Sequence, residues 1–404
     1  MIPILKLNAA QVLGLAALGI ALGSWLKRRI PLLDRWDIPV PIAGGMVFAL
    51  ATLGLRDRVV NVEGDTMLRD LLTVAFMSTI GLTARWKLVR EGGKQVVWLL
   101  GLSSVGALAQ NLLGIGLARL FGLDPRLGIL AGSVSLAGGP ATAAAFGPTF
   151  EKLGVPGATT VGVASGIFGI AVAGVIAGRV GGGLIRRGKL AGAGAVESGV
   201  QSARRVDDPP QDGNLPHDYN ALMTAVVVIA AAVGIGQVVS QWIELHGVVL
   251  PAYIGGMIVA AVIRNVNDRV GWIGISQTAV EAVGRVALYL FITMALLTLR
   301  LWELEHLALP LLVILAAQVA VCWASCVVLP FRLPFRRDYE NAVTSAGFCG
   351  YMLGITANAM ASMEELIEKH GPAQGAFLVV PVVGAFLIDF TNSGIITGLA
   401  NWVK

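Results

Sequence analysis

Charge is what this 404-residue sequence has little of: Asp, Glu, Lys and Arg make up 14% of it, against about 25% in soluble globular chains. The deficit runs the whole length. That excludes an ordinary water-soluble domain, because most side chains must face lipid or other helices. Cysteine is scarcer still, with only Cys322, Cys326 and Cys349. Three cysteines exclude a disulfide framework, and their spacing matches no zinc motif. Cys322 and Cys326, four apart, read as helix packing. The four histidines, His217, His246, His306 and His370, stand near the ends of apolar runs. They form no cluster with cysteine or carboxylate, so neither a metalloenzyme nor a hydrolase triad is expected. No secretory signal is expected in the first apolar run, since Lys27, Arg28 and Arg29 follow it instead of preceding it. The net charge of +5 does not point to nucleic acid, because the basic residues sit in short loops beside apolar runs.

Apolar residues and glycine are what the sequence has in quantity: 55% hydrophobic, with 51 glycines. Without a Gly-X-Y period the glycines exclude collagen; in a membrane bundle they let helices approach closely and break. A spanning helix needs roughly 20 mainly apolar residues. That length predicts spans near 8–26, 38–55, 70–85, 95–120 and 157–178 in one half. In the other half it predicts spans near 220–242, 248–263, 280–299, 306–330 and 374–398. Two further segments, 126–153 and 340–370, are too broken by Gly, Pro and polar residues for a lipid-facing helix. Each is expected to be a re-entrant hairpin, because irregular backbone is tolerated at membrane depth only where protein or a water-filled cavity shields it.

The fold expected is an all-α membrane protein of ten transmembrane helices in two inverted five-span repeats, each with a re-entrant hairpin. Basic residues after spans one, three, five and nine (Lys27 to Arg35, Arg85 to Lys94, Arg186 to Arg205, Arg332 to Arg337) place those loops in the cytoplasm and both termini in the periplasm. The N-terminal repeat is read as 1–180 and the C-terminal repeat as 219–404. The stretch 181–218, rich in Gly, Ser, Asp, Pro and Arg, reads as a flexible cytoplasmic linker.

The halves resemble each other in sequence. Residues 38–44, IPVPIAG, match 250–256, LPAYIGG, at an offset of 212. Phe76, Leu82, Thr83 and Arg85 match Phe291, Leu297, Thr298 and Arg300 at an offset of 215, as does Gly139 with Gly354. Gly154 then matches Gly371. Each half has an odd number of spans, so the second inserts upside down. Inverted repeats with irregular segments at equivalent positions point to an alternating-access carrier with its site near the midplane.

The polar residues at these breaks are the candidate site. Ser135, Gly138, Gly139 and Thr142 lie in the first hairpin, where a Gly-Gly-Pro break frees backbone groups and the helix that follows points its positive end at an anion. Gly350, Thr356 and Asn358 occupy the second hairpin. Asp389 stands in an otherwise apolar final span, where a carboxylate costs about 3 kcal/mol even on mild insertion scales and is a functional candidate by default. It fits a cation ligand, a proton carrier or a partner for a cargo ammonium. Asn392, three residues on, supplies a neutral oxygen of the kind hard cations take. Gln110, Asn111 and Gln318 suit a pathway lining and a helix-to-helix bond equally.

The sequence resembles the bacterial glutamate:sodium symporter family. The resemblance is carried by IPVPIAGG (38–45), MLRDLLTVAFMSTIGLTA (67–84), QNLLGIG (110–116), GLDPRLGILAGSVSLAGGPATAAAFGP (122–148), MALLTLRLWEL (294–304) and GAFLVVPVVGAFLIDFTNS (375–393). It implies sodium-coupled uptake of glutamate or a related small carboxylate across the inner membrane and a homodimer. It also implies a rigid scaffold beside a moving transport domain, with no cofactor beyond sodium. Sodium is expected at Asp389 and Asn392 with help from Thr79, and cargo between the hairpin tips. The family usually reads Gly-Gly-His-Gly-Thr and Gly-His-Cys-Gly at the tips; here Pro140 and Phe348 replace the histidines. Near Thr356 the family tends to Thr-Pro-Thr, where this chain has Thr356-Ala357-Asn358. A proton-coupled carrier or antiporter of another organic anion is the alternative within transport. A passive channel is a rival from another class, and no enzyme is expected.

Overall fold

The structure, a computed structural model, describes residues 3–35, 38–87, 93–190, 219–246, 251, 253–304, 307–332 and 338–403. In its first half the helices are α1 (Ala9–Arg29), α2 (Pro31–Arg35), α3 (Val40–Leu55), α4 (Met67–Thr83), α5 (Gly93–Leu120), α6 (Pro125–Ile129), α7 (Gly139–Lys152) and α8 (Ala158–Gly188). The second half has α9 (Tyr219–Leu245), α10 (Tyr253–Val270), α11 (Gln277–Leu297), α12 (Ala308–Arg332), α13 (Tyr339–Leu353), α14 (Thr356–His370), α15 (Gln374–Val382) and α16 (Ile388–Trp402). Two four-residue strands, β1 (Ile4–Leu7) and β2 (Asn61–Gly64), pair in parallel. The sequence reading foresaw no strands; Ile-Leu-Lys-Leu and Asn-Val-Glu-Gly are apolar-polar mixtures too short to announce themselves.

Seven helical stretches among the described residues are long and apolar enough to cross a membrane: α1, α5, α8, α9, α11, α12 up to Val328, and the run from α15 through α16. The chain is thus an all-helical, multi-pass membrane protein. Three of the ten expected spans miss that criterion for physical reasons. Helix α3 has 16 residues and α4 has 17. Helix α10 ends in Arg264, Asp268 and Arg269; Arg264 and Arg85 both bind the Asp268 carboxylate, at 3.1 and 2.8 Å. The linker reading also shifts: α8 continues to Gly188, so 181–188 is helix, and 191–218 lies outside the described residues.

The helices sort into two groups. One comprises α1, α3, α4, α9, α10 and α11, which pack on one another. The other holds α5–α8 and α12–α16. Close helix crossings in the first group depend on glycine. A Cβ on Gly44 of α3 would stand 1.8 Å from the Gly19 carbonyl oxygen of α1. At the related crossing, one on Gly255 of α10 would stand 2.1 Å from the Gly236 oxygen of α9. Two cross-contacts use the repeat positions with sizes exchanged: Gly45 fits against Leu296, and Gly81 fits against Met257. The offsets, 212 for Gly45 with Met257 and 215 for Gly81 with Leu296, are those of the sequence repeat.

Candidate functional site

The first hairpin opens at Asp124, whose carboxylate accepts from the Arg126 N–H at 2.9 Å with Pro125 in the first turn, an arrangement that starts a helix well. After α6 the chain loosens into a π-helical turn, Leu130–Val134, in which Gly132 leaves helical geometry (φ −99°, ψ −130°). The turn is held from both sides. Asn111 Oδ1 of α5 accepts from the Ser133 N–H at 2.9 Å. The Asn392 amide of α16 accepts from Ser133 Oγ at 2.6 Å and donates to the Ser133 carbonyl at 3.0 Å. Gly139, at φ +71°, then starts α7; only glycine holds that backbone without strain.

The second hairpin opens at Asp338, which accepts from the Asn341 N–H at 2.9 Å. Helix α13 runs to Leu353, breaks at Gly354 and Ile355, and restarts at Thr356 as α14. Gln110 Nε2 of α5 donates to the Met352 carbonyl just before the break, at 2.8 Å. Gln318 Nε2 in turn donates to the Gln110 carbonyl at 2.6 Å. These amides bond helices together, and α5 braces both hairpins, the first through Asn111 and the second through Gln110.

The two tips meet. A Cβ on Gly139 would lie 2.9 Å from Ile355 Cγ2 and 3.8 Å from the Gly354 oxygen. Beside the junction, between the two helix groups, is a cavity of about 140 Å³. It is smaller than the 300 Å³ or more of a drug-sized pocket, so it suits a small solute. The first group contributes an apolar wall of Ile42, Phe76, Ile80, Leu288 and Ile292, with Tyr289 its one polar-tipped side chain. The second contributes the start of α7 (Gly138, Pro140, Ala141, Thr142), the start of α14 (Thr356, Ala357), Gly384 and Asp389. Helix α7 has no side-chain cap hydrogen bond, and at α14 the Asn358 side chain takes up only the Ile355 N–H. Two positive helix ends therefore face one small space. Asp389 is the one acidic residue lining it, and its carboxylate has no hydrogen-bond or ion partner among the described residues.

The structure gathers some expected site residues and sends others elsewhere. Gly138, Thr142, Thr356 and Asp389 line the cavity, with Gly139 at the tip junction. Thr142 Oγ1 makes no hydrogen bond among the described residues, while Thr356 Oγ1 donates to the Gly384 carbonyl at 2.8 Å. The Ser135 hydroxyl is taken up by the carbonyls of Leu130 and Gly162. Gly350 lets the arms of the second hairpin close, since a Cβ there would sit 2.5 Å from Ala359 backbone. Asn358 braces the second tip, accepting from the Ile355 N–H at 3.2 Å and donating to the Ile170 carbonyl at 3.3 Å. The Asn392 amide is committed to Ser133 and does not line the cavity. Thr79 donates to the Phe76 carbonyl at 2.6 Å and packs against Gly284 of α11; its neighbours Phe76 and Ile80, not Thr79, reach the cavity.

Sequence reading missed the final helix's break. It expected one span over 374–398, whereas a π-helical turn, Val383–Leu387, separates α15 from α16 immediately before Asp389. Pro381 was the available signal, because a proline within a helix removes a hydrogen bond upstream; π-turns of this kind recur at functional sites. The apolar wall gave no signal, since its residues are ordinary helix-packing types. The cysteines pack as expected: all three are buried and unoxidised, with Cys322 and Cys326 Sγ 3.8 Å apart.

A multi-pass helical membrane protein with two facing helix breaks and a lone cavity carboxylate belongs structurally with the solute carriers. More narrowly, the chain belongs to the sodium/glutamate symporter family, whose profile matches residues 5–372. It is 37% identical over 396 residues to the sodium/glutamate symporter of Escherichia coli (strain K12), covering 96% of each chain. It is 32% identical over 392 residues to that of Haemophilus influenzae, covering 96% of this chain and 95% of the other.

Proposed function

We propose that this chain is a sodium-coupled symporter that imports glutamate or a related small carboxylate across the bacterial inner membrane. The observation that carries the reading is charge complementarity in the cavity. Glutamate bears two carboxylates and is driven in with a cation; the cavity offers two helix N-termini for the carboxylates and one unpartnered carboxylate for the cation. Helix N-termini stabilise anions by free N–H groups and dipole together, and a membrane-buried carboxylate needs a cation or proton. Family membership supports the same cargo and ion.

The mechanism is alternating access of the elevator kind, in which the second helix group carries both hairpins and the cargo past the first. Its support is the division of the cavity lining: hairpin N-termini, Thr142, Thr356 and Asp389 all belong to the second group, and the first presents an almost wholly apolar wall. A bound solute keeps its polar contacts while sliding along such a wall. In this reading the ten helical segments form two inverted five-span repeats, the hairpins are re-entrant, both termini are periplasmic and the protein works as a homodimer. The cation is held at Asp389. A proton-coupled carrier or antiporter of another anion is the second reading, favoured by that same carboxylate standing without a partner.

The test is uptake of labelled glutamate into proteoliposomes under an inward sodium gradient, an inward proton gradient or none. Saturable uptake that follows sodium at fixed pH is expected. Uptake that follows the proton gradient without sodium gives the second reading, and flux without saturation or countertransport gives a channel.

A further inference from the structure

A larger cavity, of about 1040 Å³, lies at the end of the molecule where β1 and β2 pair, between the two helix groups. Three helices lead from it to the cargo cavity: α4 from Asp70 to Phe76, α11 from Leu297 to Ile292, and α7 from Pro148 to Thr142. Each path is less than two helical turns, about 8–9 Å at 1.5 Å per residue. The lining is charged. Arg56, Arg69 and Arg300 belong to the first group's end, and Lys152 ends α7 in the second. Three of the acids are taken up: Asp70 by Arg69 at 2.8 Å, Glu151 by the Thr159 N–H at 3.1 Å, and Glu303 by Arg300 at 3.5 Å. Glu63 and Lys152 have no hydrogen-bond or ion partner among the described residues.

The sequence repeat shows what is unusual here. At the opposite end of α4, Arg85 binds the Asp268 carboxylate at 2.8 Å. The offsets of 215 and 212 make Arg300 the mate of Arg85 and Arg56 the mate of Asp268. Where one end pairs a guanidinium with a carboxylate, this end sets two guanidiniums along one cavity. Arg56 is stacked over the Trp302 ring at 3.5 Å, which fixes its fork. Its pair with Asp57 is exposed, and the Arg300 side chain is 66% exposed. Exposed pairs are weak, so both forks stay open to an incoming carboxylate.

We infer that this vestibule is a first binding site for the incoming cargo, an amino acid with a second carboxylate. Arg56, Arg300 and Lys152 take its carboxylates, and Glu63 supplies the counter-charge for its ammonium. The inference rests on the proposed function, in which this end faces the periplasm, and it gives the cargo the charged side chains that the inner cavity lacks. Charges at the rim of a site govern how fast a ligand arrives and how strongly salt slows it, more than how tightly the ligand is finally held. At about 8–9 Å from the cargo cavity, the vestibule is also within a Debye length of it at ordinary salt.

The experiment is rapid mixing of glutamate with the purified protein in sodium, followed by tryptophan fluorescence, because Trp302 lines the vestibule beneath Arg56. Association rates are taken for wild type, Lys152→Gln and Arg300→Gln at low and high choline chloride, with calorimetric glutamate affinity in parallel. Each variant should slow association by about three- to tenfold, the effect of losing one guiding charge, and flatten its fall with salt. Affinity at equilibrium should stay near wild type, because the contacts in the cargo cavity are untouched. Both side chains are exposed, so the variants should fold normally. The Trp302→Phe protein should lose the earliest fluorescence phase. Variants that bind glutamate with wild-type rates and salt dependence overturn the vestibule site and leave the proposed function standing, as does binding that leaves Trp302 fluorescence unmoved. A wild-type protein that binds no glutamate in sodium overturns both.

Discussion

The two hairpins do the same job with different anchors. The first is held from outside: its turn at Ser133 is gripped by Asn111 of α5 and by the Asn392 amide of α16, 259 residues along the chain. The second is held more from within: Asn358, inside its own second arm, caps Ile355 and reaches α8 at the Ile170 carbonyl. Backbone geometry differs too, with Gly139 at φ +71° and its counterpart Gly354 at φ −142°. The first tip therefore depends on distant side chains and on glycine as such. The second depends on its own cap, on close packing and on the Gln110 amide at the Met352 carbonyl.

The largest contrast is expected between Asn392→Ala and Asn358→Ala. Losing Asn392 leaves Ser133 Oγ buried without a partner and takes one donor from the Ser133 carbonyl, which keeps the Gly138 N–H at 2.9 Å, at about 2 kcal/mol. Losing Asn358 removes chiefly a cap, at about 1 kcal/mol. Thermal midpoints of the purified variants measure both, and equal losses would erase the distinction. Next comes Gly139→Ala, which forces a left-handed alanine at about 1–2 kcal/mol and pushes a methyl toward Ile355. Gly354→Ala carries no such φ penalty and meets the Asn358 amide instead. Glutamate KM should rise more for the first, and the reverse order would mean that packing, not backbone, governs the tips.

A smaller effect separates the tip threonines. Thr142 has no hydrogen-bond partner among the described residues, and Thr356 is tied to Gly384. Thr142→Ala should raise the glutamate KM about tenfold, the worth of one cargo hydrogen bond. Thr356→Ala should instead lower stability, read as a lower thermal midpoint. Smallest is Thr79→Ala, which should leave half-saturating sodium at the wild-type value, because that side chain packs against Gly284 away from the cavity.

Much of this was legible in the sequence. The helix-break-helix segments Pro125–Lys152 and Tyr339–His370 lie where Asp, Gly and Pro punctuate the sequence, a local signal. Asp389 stood out because a carboxylate in an apolar run is costly. What failed is non-local. Nothing near Asn392 reveals that Ser133 claims its amide, and nothing near Ser135 reveals the Gly162 carbonyl. The break before Asp389 was signalled by Pro381, but hydropathy averaged over a span conceals a single turn.

The most direct test of the account is calorimetric binding of glutamate to the purified protein in sodium and in choline buffer, for wild type and Asp389→Asn. The account predicts saturable binding to wild type in sodium alone, and none to Asp389→Asn in either buffer. Equal glutamate binding in sodium and choline, or wild-type binding by Asp389→Asn, would contradict a site in which one carboxylate holds the ion that makes the cargo bind.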